Sequence, residues 1–170
     1  NGIAGTSVSG VSVSARNVTS TTGTAVVIGG SGNSGAFTFT SISANGGANG
    51  ISLTNLTGSF TVNGDGTNTT KGGNGSGGTI QNMSGADGST AGIGVYLSNV
   101  QNVTLRRMTL SGTLQNLGVF GLSVDGFTMQ YCTITGTIGT SSGSNDAAIA
   151  FGRTNPGGAN GLAGTSLIDN

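Results

Sequence analysis

The sequence has no histidine, no glutamate and no tryptophan, a single proline, Pro156, and a single cysteine, Cys132. Without histidine there is no imidazole to act as acid, base or metal ligand. A lone cysteine excludes an intrachain disulfide. Charge is equally scarce, with five cations (Arg16, Lys71, Arg106, Arg107, Arg153) against five anions (Asp65, Asp87, Asp125, Asp146, Asp169). Net neutrality with scattered cations gives no phosphate-tracking stripe, so nucleic-acid binding is excluded. No apolar run approaches the ~20 residues that cross a bilayer as a helix, so this segment holds no such span.

What is abundant is glycine, with 35 residues, and together with Thr, Ser and Asn it makes up more than half of the chain. All four are poor helix formers, which argues against a helical domain. Disorder is argued against by the 34% of apolar residues, which fall in short Val, Ile, Leu and Phe runs. With so few charges, hydroxyls and amides must keep the chain soluble, and that habit suits an extracellular or cell-surface location.

The chain is internally repetitive. Val100-Gln-Asn-Val-Thr-Leu-Arg-Arg-Met-Thr-Leu-Ser111 aligns without gaps on Val124-Asp-Gly-Phe-Thr-Met-Gln-Tyr-Cys-Thr-Ile-Thr135. Val8–Thr19 fits the same frame, and Leu56–Val62 fits with one residue inserted. Each copy follows a short apolar run: Gly2-Ile3, Ala25–Ile28, Gly50–Leu53, Ile93–Leu97, Gly118–Leu122 and Ala148–Phe151. A fixed period of this size marks a repeat architecture. The long step between Gly50 and Ile93 is assigned to a Gly-rich inserted loop, 63–78, expected to protrude.

Within each copy, apolar and polar residues alternate with period two, which predicts strands. Short strands bury their faces only by stacking copy upon copy, and Gly or Asn at the corners supply tight bends. The predicted core is Val8, Val11, Val13, Val100, Val103, Leu105, Leu110, Val124, Phe127, Met129 and Ile134. Asn55 and Asn99 occupy equivalent places after their strands and predict an amide ladder. Thr109, Thr133 and Thr135 are expected on an outward hydroxyl face.

These features, and Gly94-Val-Tyr-Leu-Ser-Asn-Val-Gln-Asn-Val-Thr-Leu105 in particular, resemble the repeat of right-handed parallel β-helix proteins. That group includes pectate-lyase-like folds and the stalks of bacterial surface proteins and autotransporter adhesins. Phe39–Leu53 and Gly78–Asn82 are similar to very large bacterial β-strand-repeat surface proteins. The resemblance implies one all-β domain over residues 1–170, a parallel β-helix of about six rungs. It also implies a non-catalytic surface stalk, adhesin segment or filament subunit.

Asn1-Gly-Ile-Ala-Gly-Thr-Ser7 returns as Asn160-Gly-Leu-Ala-Gly-Thr-Ser166. The chain is therefore expected to be part of a longer array, and its expected partner is itself, by end-to-end or lateral stacking, with surface carbohydrate as a second partner.

No catalytic or cofactor-binding residue is assigned. Glycoside hydrolysis needs a carboxylate pair, and the aspartates lie far apart, with Asp125 aligned on Gln101 and Ser9. Arg106 and Arg107 could grip an acidic sugar next to Asp125, but they align on Gln130 and Tyr131, so they form no cationic row across copies and read as a bend or a solvated patch. Asp65 and Asp87, each followed by Gly, are the two calcium candidates. A calcium loop needs several oxygen ligands at fixed spacing, and turn formation is the preferred reading. Tyr96, Tyr131, Phe120 and Phe127 offer a candidate sugar-stacking surface, with Phe127 assigned to the core. The competing functions are a carbohydrate-binding or polysaccharide-degrading β-helix and an ice-binding solenoid.

Overall fold

The computed structural model describes residues 2–141, 146–152 and 161–170. Asn1, Arg153, Pro156 and Asn160, and with them the first residue of each half of the terminal echo, lie outside the described residues. Among the described residues there is no helix, and every strand pairing is parallel. The strands are β1 (Ile3–Thr6), β2 (Ser12–Ser20), β3 (Val26–Gly29), β4 (Ala36–Asn45), β5 (Asn49–Leu56), β6 (Ser59–Val62), β7 (Gly78–Met83) and β8 (Ile93–Arg106). They continue as β9 (Met108–Leu114), β10 (Leu117–Gln130), β11 (Thr133–Ile134), β12 (Thr137–Ile138), β13 (Ala147–Phe151), β14 (Leu162–Ala163) and β15 (Leu167–Asp169). All join one sheet.

Within that sheet the chain makes three runs of register. The first joins β1, β3, β5, the front of β8, the front of β10, and β13. The second joins the front halves of β2 and β4, then β6, the rear of β8, the rear of β10, and β15. The third joins the ends of β2 and β4 with β7, β9 and β11. Each of the six apolar runs marked in the sequence, from Ile3 to Phe151, contributes a strand to the first.

Alternation decides which side chains face inward. In the second run, Val13, Phe37, Phe60, Val103 and Phe127 are partners in adjacent strands. The last four of these are 3% exposed or less. Val26, Ile51, Val95 and Val119 form the matching row of the first run, all fully buried. Ala44, Ile80 and Leu110 form that of the third. Each such large side chain contributes roughly 1.5–3 kcal/mol, so these rows outweigh any exposed ion pair, worth about 0–1 kcal/mol.

The predicted core divides unevenly. Val100, Val103, Leu105, Leu110, Val124, Phe127 and Met129 are buried, whereas Val8, Val13 and Ile134 are half-buried at its margin. Val11 is a correction: it is 41% exposed. The first copy lies two residues out of the frame expected from sequence, because Val13, not Val11, is in register with Phe37 and so with Val103.

The corners use left-handed backbone. Ser7, Gly30, Asn55, Asn99 and Ser123 occupy equivalent positions after the first run, and all have positive φ. Asn99 Nδ2 donates to Asn55 Oδ1 at 2.9 Å, and Asn55 Nδ2 to the Gly30 carbonyl at 2.7 Å. A second amide line crosses the far corner, where Asn82 Nδ2 donates to Asn45 Oδ1 and Asn82 Oδ1 accepts from Thr113 N–H.

Candidate functional site

Residues 63–78 do not protrude. The sequence places a Gly-rich insertion here, but the segment lies down across the chain that follows it, because a buried arginine gives it something to fold around. Asp65 Oδ1 accepts the N–H groups of Thr67 (3.0 Å) and Asn68 (3.1 Å), and Oδ2 accepts Asn74 Nδ2 (2.6 Å). Ser76 Oγ accepts Asp65 N–H and donates to Asn74 Oδ1. The segment thus closes on its own short polar side chains.

Arg107 holds it to the sheet. Its side chain is 5% exposed, and its φ of 56° makes the bend between β8 and β9. The guanidinium donates to the carbonyls of Asn63 and Asn68, lies 3.2 Å from Asp65 Oδ1, and sits 5.3 Å above the Tyr131 ring. Backbone donors, Asn68 N–H foremost, then the Asn74 amide and Thr67 N–H, with a smaller contribution from Arg107, hold the Asp65 carboxyl down at about 2. Of the two sequence readings of Arg107, the bend is what the structure displays; the solvated patch is overturned by its burial.

Further contacts reach later copies. Thr133 Oγ1 donates to the Gly72 carbonyl at 2.6 Å, and Lys71 pairs with Asp169 at 2.9 Å. Gly77 N–H donates to the Arg107 carbonyl, and Ile42 N–H to that of Gly77. Gly73 packs so tightly that an added Cβ would overlap the Tyr131 carbonyl oxygen. The segment therefore touches β4, β9, the Tyr131 bend, β11 and β15.

This packing bears on the expected threonine face. Thr109 and Thr133 are register partners and point outward, but residues 72–75 cover them and leave both half-buried; Thr135 alone of the three is exposed. A longer hydroxyl row stands on the second run, where Ser14 and Thr38, both exposed, and Thr61, Thr104 and Thr128, all half-buried, are partners in successive strands. The repeat frame could have found it, had the first copy been shifted by two residues.

The other candidates stay apart. Asp87 lies exposed in the 84–92 segment, Asp125 flanks Gln101 and Ala163, and Asp146 Oδ2 accepts Ser141 N–H. Among the described residues no three His, Cys, Asp or Glu side chains gather where a metal could sit. Asp65 spends its oxygens on N–H donors and faces a guanidinium, which opposes a bound cation. Arg106 donates Nε–H to Gln130 Oε1 at 3.1 Å. Tyr96 and Phe120 stack outward on the first run with centroids 6.1 Å apart, whereas Phe127 is buried against Phe151 and Tyr131 lies under Arg107.

Sequence reasoning missed the buried amides. Asn33, fully buried, accepts Val8 N–H and donates to the carbonyls of Gly29 and Thr54. Asn49 donates to Thr90 and Ile93, and Asn116 to Ala86 and Ala91, so these two tie down a second insertion, 84–92. With Asn so common in the chain, nothing in composition sets these three apart.

Compared with known proteins, the chain matches no family model, no curated protein and no solved structure.

Proposed function

We propose that this chain is a right-handed parallel β-solenoid of about six windings, and that its role is structural: a rigid extracellular rod of the kind used in surface stalks, adhesins or filaments. Handedness follows from the strong preference of parallel crossovers for the right-handed path. At roughly 4.8 Å between strands, six windings extend about 30 Å along the axis. One observation carries the reading. Inward apolar rows and outward hydroxyl rows run in register from copy to copy, so each winding supplies the template for its neighbour. Residues are spent on repetition of shape, and outward side chains are short, neutral and polar.

The test combines electron microscopy of the native material with incubation on neutral and uronate polysaccharides. Straight rods and intact polysaccharide are expected. Release of reducing or unsaturated sugar ends would replace the structural role with an enzymatic one.

A second reading, ice binding, is favoured by the in-register hydroxyl row Ser14, Thr38, Thr61, Thr104 and Thr128. Thermal hysteresis measured in nanolitre droplets decides it: a hysteresis gap abolished by Thr61→Leu with Thr104→Leu supports an ice face, and freezing without a gap removes it.

A further inference from the structure

We propose that residues 63–78 are a strap that locks the strands they cross into one cooperative unit, with Arg107 as its pin. This stands on the observed pairings and does not depend on the role of the rod. Four observations converge. The strap's ends continue β6 and β7, so it leaves and re-enters the sheet beside Thr40 and Ile42. Its middle reaches Thr133, which joins the sheet two passes of the chain later, and Asp169, which joins it three passes later. Its hub is a guanidinium buried among strap carbonyls and the Tyr131 ring. Its glycines fit against backbone where no side chain has room: an added Cβ at Gly73 would overlap the Tyr131 carbonyl oxygen, and at Gly77 that of Arg106.

In the sheet alone, a strand is tied only to its immediate neighbours, and it frays from an edge with a local free energy. A segment that bonds to β9, β11 and β15 at once removes that independence. Parting the Arg107 bend from the strap strips the guanidinium of its acceptors, the Asn63 and Asn68 carbonyls, and an unsatisfied buried cation is expensive. The strap therefore couples the strands beneath it. Arg107 is a positioning residue: it acts by holding strap carbonyls over β9 and β11.

Cys132 provides a reporter inside this unit. Its thiol is 2% exposed in the row next to Met108 and is pushed up in pKa by burial, so it reacts only when the strands part. The experiment measures Cys132 labelling by a maleimide and peptide-level hydrogen exchange in the intact protein and in Arg107→Lys, which keeps the charge but loses the planar fork. Expected is labelling at least about tenfold faster, with matching acceleration in 63–78, β9 and β11 and none in β1 or β3. Thr133→Val is the second variant and decides by the same criterion if Arg107→Lys does not fold. Faster exchange confined to 63–78, with Cys132 labelling unchanged, would make the segment a passive passenger and overturn the proposal. So would unchanged exchange everywhere, or acceleration that is equal throughout the chain.

Discussion

Asn99 and Asn55 stand side by side with φ of 55° and 54°, 44 residues apart, and the amide of one donates to the carbonyl of the other at 2.9 Å. Two needs meet in this pair. The corner requires a left-handed residue, which Asn tolerates better than most. The same side chain then bridges to the copy beneath. The line reaches Gly30 on one side and stops on the other at Ser123, whose φ of 52° is left-handed without an amide to extend the ladder.

Ser123→Asn should therefore stabilise the protein by about 1 kcal/mol, through a better left-handed residue and one added amide bond. Chemical denaturation checks it. A loss of stability would mean that the ladder's continuation at this corner is wrongly placed.

Gly58 lies over Gly35, and Gly35 over Val11, each so close that a Cβ would overlap the carbonyl oxygen of the earlier copy. Neither of these two glycines has a left-handed φ, so space alone demands them. Gly58→Ala should cost roughly 1–3 kcal/mol by overpacking. Gly66, with φ of 77° and nothing near its Cβ position, should lose only about 1 kcal/mol on change to Ala. Equal melting temperatures for the two variants would contradict this ordering.

Asn33 satisfies three backbone groups from a fully buried position. Asn33→Ala leaves Val8 N–H and the Gly29 and Thr54 carbonyls without that partner, and should cost on the order of 3 kcal/mol. Asn33→Leu should not restore the loss, although Leu56 is its neighbour across the sheet. A Leu variant as stable as the parent would show that these backbone groups find partners elsewhere.

Acid should release the strap late. The Asp65 carboxyl is depressed in the folded protein, from the ordinary 3.8 to about 2. A depressed value means that its contribution is present above the unfolded value and is lost as pH falls through the folded one. An NMR titration of the Tyr131 ring and Arg107 Nε–H should stay flat from neutral pH to about 4 and then shift with a midpoint near 2. A midpoint at the ordinary value would show that the Asn68, Asn74 and Thr67 donors do not hold the carboxylate.

Much of this arrangement is legible in the sequence, because a period-two strand repeated at fixed offset leaves few ways to fold. The pairing of Val103 with Phe127 and of Asn55 with Asn99 follows from alignment alone. Two things escape alignment. The first copy slips by two residues, which exposes Val11, since a corner of different length leaves no trace in a pattern of Val and Ser. Insertions also carry no frame. The excess between Gly50 and Ile93 is split between 63–78 and 84–92, and it is the fold that brings Arg107, Asn49 and Asn116 to gather the two pieces onto the sheet.

The stacking of parallel copies is tested most directly by nuclear Overhauser contacts from the Val103 methyl groups. Val103 lies between Phe60, 43 residues before it, and Phe127, 24 residues after it, in adjacent parallel strands. Cross-peaks from these methyls to both rings, with backbone contacts between Thr61 and Thr104 and between Thr104 and Thr128, are the predicted result. Contacts to one ring only, or an antiparallel backbone pattern across either pair, would contradict the account.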